Sequence, residues 1–141
     1  MFNKKLAIVG ASGAVGRVFI ELLDEMYPGT KDLSLVASKR SSGRSMFCGK
    51  QEFIIQDIKE FDFSQVEIAF FSAGAETAEK YAPIAVSKGC TVIDNSSQFR
   101  TDSDKPLIVP EVNSKDLKNF KHPGIIANPN CSTAQLVVAL K

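Results

Sequence analysis

The chain has 141 residues, of which 44% are hydrophobic and 23% charged, and its formal net charge is +1. These proportions are typical of an ordinary globular domain that is long enough to bury a core. The near-zero charge offers no electrostatic basis for binding nucleic acid or an anionic membrane, and no apolar run is long enough to span a bilayer. We therefore expect neither nucleic acid nor membrane as a partner.

The chain contains three cysteines, Cys48, Cys90 and Cys131. They share no C-x-x-C spacing and have no neighbouring histidine, so no metal site is expected. The apolar run at 6–9 is too short for a signal peptide, and an odd cysteine count is typical of a reducing compartment. These features predict a cytoplasmic protein.

The predicted elements alternate between strands and helices in chain order. Apolar runs predict strands at 6–9, 33–37, 53–58, 68–71, 91–94, 107–109 and 124–127. Helical periodicity predicts helices at 13–26, at 75–87 and from 131 onward, a helical turn at 115–117, and a polar loop at 38–49. In the first helix the residues with helical spacing are Val15, Val18, Phe19, Leu22, Leu23 and Met26.

Strands that are apolar throughout and alternate with helices indicate a mostly parallel sheet covered on both faces. The expected fold is therefore α/β, a Rossmann-like doubly wound sheet with helices on both faces. Residues 1–127 would form one dinucleotide-binding domain, and residues 128–141 would lead out of it. The apolar pattern at 136–140 is unfinished, and we expect it to be exposed, disordered or buried by another copy of the chain.

A glycine-rich segment joins the first strand to the first helix. It reads Gly10-Ala-Ser-Gly13-Ala-Val-Gly16, at the place where a doubly wound fold binds a dinucleotide pyrophosphate. Gly10 would permit the tight turn, Gly13 the approach of the phosphates, and Gly16 close packing of helix on strand. The helix N-terminus adds N–H donors. The alternative is a tight strand-to-helix turn without a ligand.

The end of the second strand bears on the choice of cofactor. Segment 38–41 reads Ser38-Lys39-Arg40-Ser41 and has no carboxylate to hold ribose hydroxyls. Two cations and two hydroxyls suit a 2′-phosphate, which favours NADP over NAD. Alternatively, Lys39 and Arg40 are solvated loop charges.

Polar or small residues also follow two later strands. Ser72, Ala73 and Gly74 would pass close to the cofactor. The simpler interpretation is that Ser72 caps the next helix, and the two are compatible. In segment 94–100, Arg100 could hold a phosphate or carboxylate through two parallel hydrogen bonds. Asp94 and Ser96 are interpreted as residues that stabilise the loop.

Cys131 follows Asn128-Pro129-Asn130 and opens a predicted helix. The helix dipole and unpaired N–H groups favour the thiolate there, which suits a nucleophile in acyl transfer. Alternatively, Cys131 is a buried structural thiol or an incidental exposed one. The single histidine, His122, lies in a Pro-Gly turn and is interpreted as a surface residue. The chain therefore offers no acid/base partner, and we expect that further sequence supplies one.

Several motifs occur in order: Gly-Ala-Ser-Gly-Ala-Val-Gly, Ser-Lys-Arg-Ser-Ser-Gly, Phe-Ser-Ala-Gly, Ile-Asp-Asn-Ser-Ser-Gln-Phe-Arg, Val-Pro-Glu-Val-Asn and Ala-Asn-Pro-Asn-Cys-Ser-Thr. Together they strongly resemble the N-terminal, NADP-binding part of bacterial aspartate-semialdehyde dehydrogenases. The resemblance implies an NADP-dependent enzyme that interconverts aspartate 4-semialdehyde and 4-phospho-aspartate in lysine, threonine and methionine biosynthesis.

The resemblance also implies roles for individual residues. Ser12, Gly13, Ala14 and Val15 would bind the pyrophosphate, and Ser38, Arg40 and Ser41 the 2′-phosphate. Arg100 would hold phosphate or the substrate anion. Asn130 would lie beside the reacting carbonyl, and Cys131 would form the thioester.

The family continues into a second domain that carries a catalytic histidine, a glutamine and a substrate-binding arginine, and that forms the dimer. We therefore expect residues 128–141 to begin that domain, the natural-length protein to be a homodimer or homotetramer, and the 141 residues alone to bind NADP without turnover. Two alternatives are a non-catalytic nucleotide-binding module and a relative of the N-acetyl-glutamyl-phosphate reductases.

Overall fold

The computed structural model describes residues 3–141. In that range the helices are α1 (Ala14–Met26), α2 (Ala75–Ser87), α3 (Pro110–Asn113) and α4 (Cys131–Leu140), with 3-10 turns at Phe63–Gln65 and Ser114–Asn119. The strands are β1 (Leu6–Val9), β2 (Leu33–Ala37), β3 (Ser45–Cys48), β4 (Gln51–Ile54), β5 (Gln56–Asp57), β6 (Ile68–Phe71), β7 (Thr91–Asp94) and β8 (Ile125–Ala127).

Six strands form one parallel sheet in the order β5-β2-β1-β6-β7-β8. Val9 of β1 is in register with Val36 of β2 on one side and with Phe71 of β6 on the other. From β1 the chain first adds β2 and β5 on one side of the sheet and then adds β6, β7 and β8 on the other side. This reversal leaves a crevice at the carboxyl ends of the central strands, where such folds bind ligands.

The two faces of the sheet carry separate cores because side chains alternate along each strand. On one face Ala7 and Val9 pack with the α2 alanines Ala78, Ala82 and Ala85. On the other face Leu6 and Ile8 pack with α1. Helices therefore cover both faces, and the expected Rossmann-like α/β fold is confirmed.

The first helix has the predicted periodicity, but only part of its apolar surface is buried. Gly16, Ile20 and Leu23 face the sheet. The larger apolar side chains on the outer side are exposed: Val15, Val18, Leu22 and Met26. Sequence periodicity therefore located the helix, whereas the sheet determined which of its apolar residues are covered.

The structure corrects three predicted segments. The single strand expected at 53–58 is two strands, because Ile55 ends the pairing of β4 with β3 and β5 pairs with β2 in the large sheet. The expected loop at 38–49 contains β3, which forms an antiparallel hairpin with β4. The strand expected at 107–109 is an isolated bridge between Leu107 and Ala127, since helix α3 begins at Pro110.

The last strand of the sheet ends at Ala127, and α4 follows after three residues. No residue of α4 is buried, and Leu136 and Leu140 are 58% and 75% exposed. The division at residue 127 agrees with this arrangement and stays a prediction. Within residues 3–141 no helix is both long enough and apolar enough to cross a membrane.

Candidate active site

The glycine loop between β1 and α1 is held by backbone contacts that exclude side chains. Gly10 has φ +92°, and a Cβ there would lie 2.4 Å from the Ser72 carbonyl oxygen. A Cβ on Gly16 would lie 2.3 Å from the Gly10 carbonyl oxygen. An L-residue at either position would therefore force the backbone to shift, and the loop, the α1 N-terminus and the β6 end are in direct contact.

The N-terminus of α1 presents unpaired donors at this loop. Gly13 is the N-cap and has no side-chain cap, and Arg17 N–H donates to its carbonyl oxygen at 3.0 Å. Within residues 3–141, the N–H groups of Ala14, Val15 and Gly16 have no protein acceptor. Such a helix end has the donors and the positive potential that suit a phosphate group.

A cavity of about 350 Å³ lies beside the loop at the carboxyl ends of the strands. Of the residues singled out from sequence, it is lined by Gly10, Ser12, Gly13, Ser38, Ser72 and Ala73. Predicted site residues that do not line it are Ala14, Val15, Gly16, Arg40, Ser41, Gly74, Arg100, Asn130 and Cys131. The structure thus gathers the first strand-to-helix loop, the β2 end and the β6 end around one space.

Six further lining residues were not among the predicted site residues: Val9, Ala37, Ile58, Lys59, Thr77 and Tyr81. Val9 and Ala37 are the last residues of β1 and β2. Ile58 and Lys59 follow β5, and Thr77 and Tyr81 lie on the first turns of α2. Their position in the chain could have indicated them, because the residues that follow each parallel strand meet at the same edge of the sheet.

The end of β2 turns sharply after Ser38. Ser41 N–H donates to the Ser38 carbonyl oxygen at 2.9 Å. This turn leaves Lys39 and Arg40 exposed, whereas Ser41 is only 6% exposed. Arg40 is therefore free to meet an anion, and the main observed contact of Ser41 is the one that closes the turn.

The segment after β6 has a backbone role. Ser72 N–H donates to the Val9 carbonyl oxygen at 2.8 Å, which continues the β1–β6 pairing by one residue. The N-cap of α2 is Gly74, without a side-chain hydrogen bond. The interpretation in which Ser72 caps this helix is therefore wrong.

Cys131 is exposed and is the first residue of α4. Asn130 is the N-cap, and its Oδ1 accepts from Ser132 N–H at 3.0 Å and faces Cys131 Sγ at 3.9 Å. Within the described residues, Asn130 Nδ2 has no protein acceptor. Cap and thiol therefore form a compact polar group open to solvent, which excludes the alternative of a buried Cys131.

Unlike Cys131, the other two cysteines, Cys48 and Cys90, are buried. Burial raises the pKa of Cys90 to about 12. Burial, with a smaller effect of the Asp24 carboxylate, also raises the pKa of Cys48. Both thiols are therefore held in the neutral form, as inert structural cysteines are. Among residues 3–141 no group of His, Cys, Asp and Glu is arranged to hold a metal ion.

Arg100 lies between the β7 end and the nucleophile segment. Its Nε donates to the Asn128 carbonyl oxygen and its Nη2 to the Asn95 carbonyl oxygen, each at 3.0 Å. No described residue accepts a hydrogen bond from Nη1. The guanidinium is thus held in place by backbone and retains donors for an anion.

His122 lies at the opposite end of the sheet from Cys131. Its Nδ1 is 3.2 Å from Thr91 Oγ1, at the start of β7, and its ring meets Phe120 edge-on. It is exposed and belongs to the turn before β8, as predicted. Because Cys131 follows the far end of β8, the two residues cannot act as a pair.

A second cavity, of about 890 Å³, is lined by other residues. It is a half-open space between the second half of α2, segment 99–106 and segment 116–125. Its lining includes none of the predicted site residues and no cysteine. The smaller cavity is the better candidate site because backbone donors and close-packed glycines surround it.

Comparison with known proteins identifies the family. Residues 5–120 match the model of the semialdehyde dehydrogenase NAD-binding domain. The chain belongs to this semialdehyde dehydrogenase family. This match confirms the resemblance to the N-terminal, cofactor-binding part of bacterial aspartate-semialdehyde dehydrogenases that the sequence motifs indicated.

Individual relatives of the chain are aspartate-semialdehyde dehydrogenases. The chain is 52% identical over 137 residues to aspartate-semialdehyde dehydrogenase of Shewanella violacea, with 96% of the chain and 40% of the relative covered. It superposes on aspartate semialdehyde dehydrogenase II of Vibrio cholerae, solved in complex with ASA, with a TM-score of 0.91, 51% identity and coverage of 96% and 44%.

A more distant member of the family has been solved with a nucleotide. Aspartate semialdehyde dehydrogenase of Candida albicans with NADP matches with a TM-score of 0.81 and 31% identity, over 98% of this chain and 46% of that one. The semialdehyde dehydrogenase chain described here thus spans about two-fifths of the length of the relatives it matches.

Proposed function

We propose that this chain is the NADP-binding and nucleophile-bearing part of an aspartate-semialdehyde dehydrogenase. The observation that carries the proposal is the shared sheet edge: the glycine loop follows the carboxyl end of β1, and Cys131 follows that of β8. The matched relatives carry this name. By extension, the natural-length protein would be a cytoplasmic homodimer or homotetramer in lysine, threonine and methionine biosynthesis.

The residues present fit a dinucleotide. The cavity of about 350 Å³ is bordered by backbone at positions where a Cβ has no room, and the α1 N-terminus offers unpaired N–H groups. In this proposal Ser12 to Val15 bind the pyrophosphate, and Ser72 to Gly74 line its path. Ser38 and Arg40, with Ser41 closing their turn, hold a 2′-phosphate.

The proposed chemistry begins at Cys131. Its thiolate adds to the aldehyde carbon, and Asn130 Nδ2 donates to the oxygen on which negative charge develops. NADP, when bound, accepts the hydride that leaves this carbon. A thioester on Cys131 results, and phosphate oxygen then attacks it, which breaks the C–S bond and returns the thiolate. Reversal of these steps gives the biosynthetic direction.

Arg100 is proposed to hold the phosphate or the substrate anion. Two of its nitrogen atoms donate to carbonyl oxygens, which fixes the guanidinium plane, and the remaining N–H groups are available. A preorganised cation of this kind loses little conformational entropy when it binds an anion.

We further propose that the 141 residues alone bind the nucleotide without turnover. A thiol nucleophile needs a group that accepts and returns a proton. The single histidine, His122, lies at the amino ends of β7 and β8, across the sheet from Cys131.

The test uses the natural-length protein with NADP, phosphate and aspartate 4-semialdehyde, and follows the absorbance of reduced nicotinamide. We expect phosphate-dependent oxidation that Cys131→Ala abolishes. Oxidation of N-acetyl-glutamate semialdehyde instead would support the reductase relative. Tight NADP binding with no oxidation of either aldehyde would support a non-catalytic nucleotide-binding module.

A further inference from the structure

Asn128 is tied to the β7 end and to Arg100 by three of its four polar groups. Its N–H donates to the Asp94 carbonyl oxygen at 2.8 Å. Its side-chain Nδ2 donates to Asn95 Oδ1 at 2.7 Å, and its carbonyl oxygen accepts from Arg100 Nε at 3.0 Å. Three hydrogen bonds to one residue restrict the position of this segment of the chain.

The contacts close into a ring, which we call the asparagine clamp: Asn95, Arg100 and Asn128. Arg100 Nη2 donates to the Asn95 carbonyl oxygen at 3.0 Å, so each member bonds to the other two. All three residues are half-buried. Loss of one amide therefore leaves a partner poorly solvated and unpaired.

The clamp connects the nucleophile to the cofactor cavity through short links. Asn95 N–H donates to the Phe71 carbonyl oxygen at 2.8 Å, and the next residue, Ser72, lines the cavity. On the other side, only Pro129 and Asn130 separate Asn128 from Cys131. Pro129 is buried and has a fixed φ, so little freedom is left between the clamp and the thiol.

We propose that Asn95 and Asn128 are positioning residues that set where Cys131 Sγ lies relative to the nicotinamide. This inference rests on the proposed function and assigns the two amides no contact with substrate. The side-chain pair spans 33 residues of sequence and joins the loops after two adjacent strands. Its effect is on the geometry of attack, because a displacement of about 1 Å in a reacting group lowers the rate by about 100-fold.

Two aspartate variants of the natural-length enzyme test this with matched charge. Asn95→Asp keeps the oxygen that accepts from Asn128, whereas Asn128→Asp removes the donor and places two oxygens face to face. Each variant adds one carboxylate in the same pair. We expect kcat to fall about 100-fold in Asn128→Asp and by less than about 5-fold in Asn95→Asp, with KM for NADP unchanged in both.

A second readout separates position from reactivity. The rate at which iodoacetamide alkylates Cys131 reports the thiol alone, and we expect Asn128→Asp to keep it while kcat falls. An alkylation rate that falls in step with kcat would overturn the positioning role, since the clamp would then act on the reactivity of the sulfur.

A double-mutant cycle with alanine at positions 95 and 128 tests the same pair if Asn128→Asp does not fold. Asn95→Ala leaves every backbone hydrogen bond of the clamp intact. We expect the Asn95→Ala/Asn128→Ala double variant to lose no more kcat than the more damaged single variant. Additive losses would contradict the pair. If the parent enzyme is active and these variants keep its full kcat, the positioning role of Asn95 and Asn128 is wrong and the proposed function stands. If the parent enzyme itself is inactive, both the proposed function and the positioning role are wrong.

Discussion

The Gly16 backbone lies directly against that of Gly10, so that a Cβ added to Gly16 would be 2.3 Å from the Gly10 carbonyl oxygen and 2.9 Å from Ala11 Cα. This contact holds the start of α1 against the end of β1. It explains physically why the third glycine of the loop is needed even though it does not line the cavity.

A pair of alanine variants separates packing from ligand binding in this loop. Gly16→Ala must displace backbone, and we expect it to lower the free energy of unfolding by about 1–3 kcal/mol. Gly13→Ala meets only the Gly10 carbonyl oxygen, at 3.2 Å, and Gly13 has φ −76°, so stability should change little. Its methyl group would instead reduce NADP affinity by about 10-fold or more.

Urea titration and NADP titration measure the two effects. Equal losses of stability in the two variants would contradict the packing role assigned to Gly16. Unchanged NADP affinity in Gly13→Ala would contradict the proposed path of the pyrophosphate.

Arg40 is expected to determine the preference for NADP. Because the residue is exposed after the Ser38 turn, Arg40→Ala should leave the fold intact. Loss of a charge-assisted contact to the 2′-phosphate should weaken NADP binding about 10- to 100-fold and leave NAD binding unchanged. Lys50→Ala, an exposed cation in the β3–β4 turn, is the control. An equal loss of affinity for both nucleotides would refute the assignment.

Cys90 should make the protein less stable at alkaline pH. Burial raises its pKa from 9.0 to about 12, so between these values the folded protein keeps a proton that the unfolded chain releases. The stabilisation is complete below pH 9 and is lost as the pH rises toward 12. The slope is at most about 1.4 kcal/mol per pH unit.

The measurement is urea unfolding at several pH values from 8 upward, for the parent chain and for Cys90→Ala. Lysine and tyrosine titrations contribute to both proteins and cancel in the difference. The parent should lose stability more steeply than the variant above pH 9. Parallel curves would show that the Cys90 thiol titrates normally in the folded state.

Asp94 and Asp62 form a natural matched pair. Each accepts from the N–H of the serine two residues later at 3.0 Å and from the hydroxyl of that serine at 2.7 Å. Asp94 is fully buried, whereas Asp62 is exposed. Asp94→Ala should therefore cost about 2–4 kcal/mol, because it leaves buried Ser96 groups unpaired. Asp62→Ala should cost clearly less, since water replaces the lost partner of Ser64.

The urea midpoints of Asp94→Ala and Asp62→Ala, each compared with that of the parent protein, measure these two losses of stability. Similar losses would mean that burial does not set the cost of this turn. The result also matters for the site, because the Asp94 carbonyl oxygen receives the Asn128 N–H.

Local patterns were sufficient for most of the fold. Apolar runs and helical spacing located β1, β2, α1, β6, α2, β7 and β8, and their alternation predicted a parallel sheet. The glycine loop was found for the same reason, since its spacing lies within seven consecutive residues. The motifs around Asn130 and Cys131 were equally local.

Contacts between distant segments could not be predicted from such patterns. The division of 51–57 between two sheets depends on pairing with β3 and β2. The cavity residues Lys59 and Tyr81 line one space only because the fold brings the segment after β5 and the first turns of α2 to the same edge of the sheet. Arg100 was predicted as an anion ligand, whereas its observed bonds to Asn95 and Asn128 are invisible in its own neighbourhood.

The sequence by itself therefore determined the main strands and helices of the parallel sheet, the family and the positions of the glycine loop and the thiol, because each depends on residues adjacent in the chain. Only the tertiary structure decided which side of α1 is covered and how Asn128 is held. Burial and hydrogen bonding between residues 33 positions apart depend on how strands are placed side by side, and that placement is set by the packing of the whole sheet.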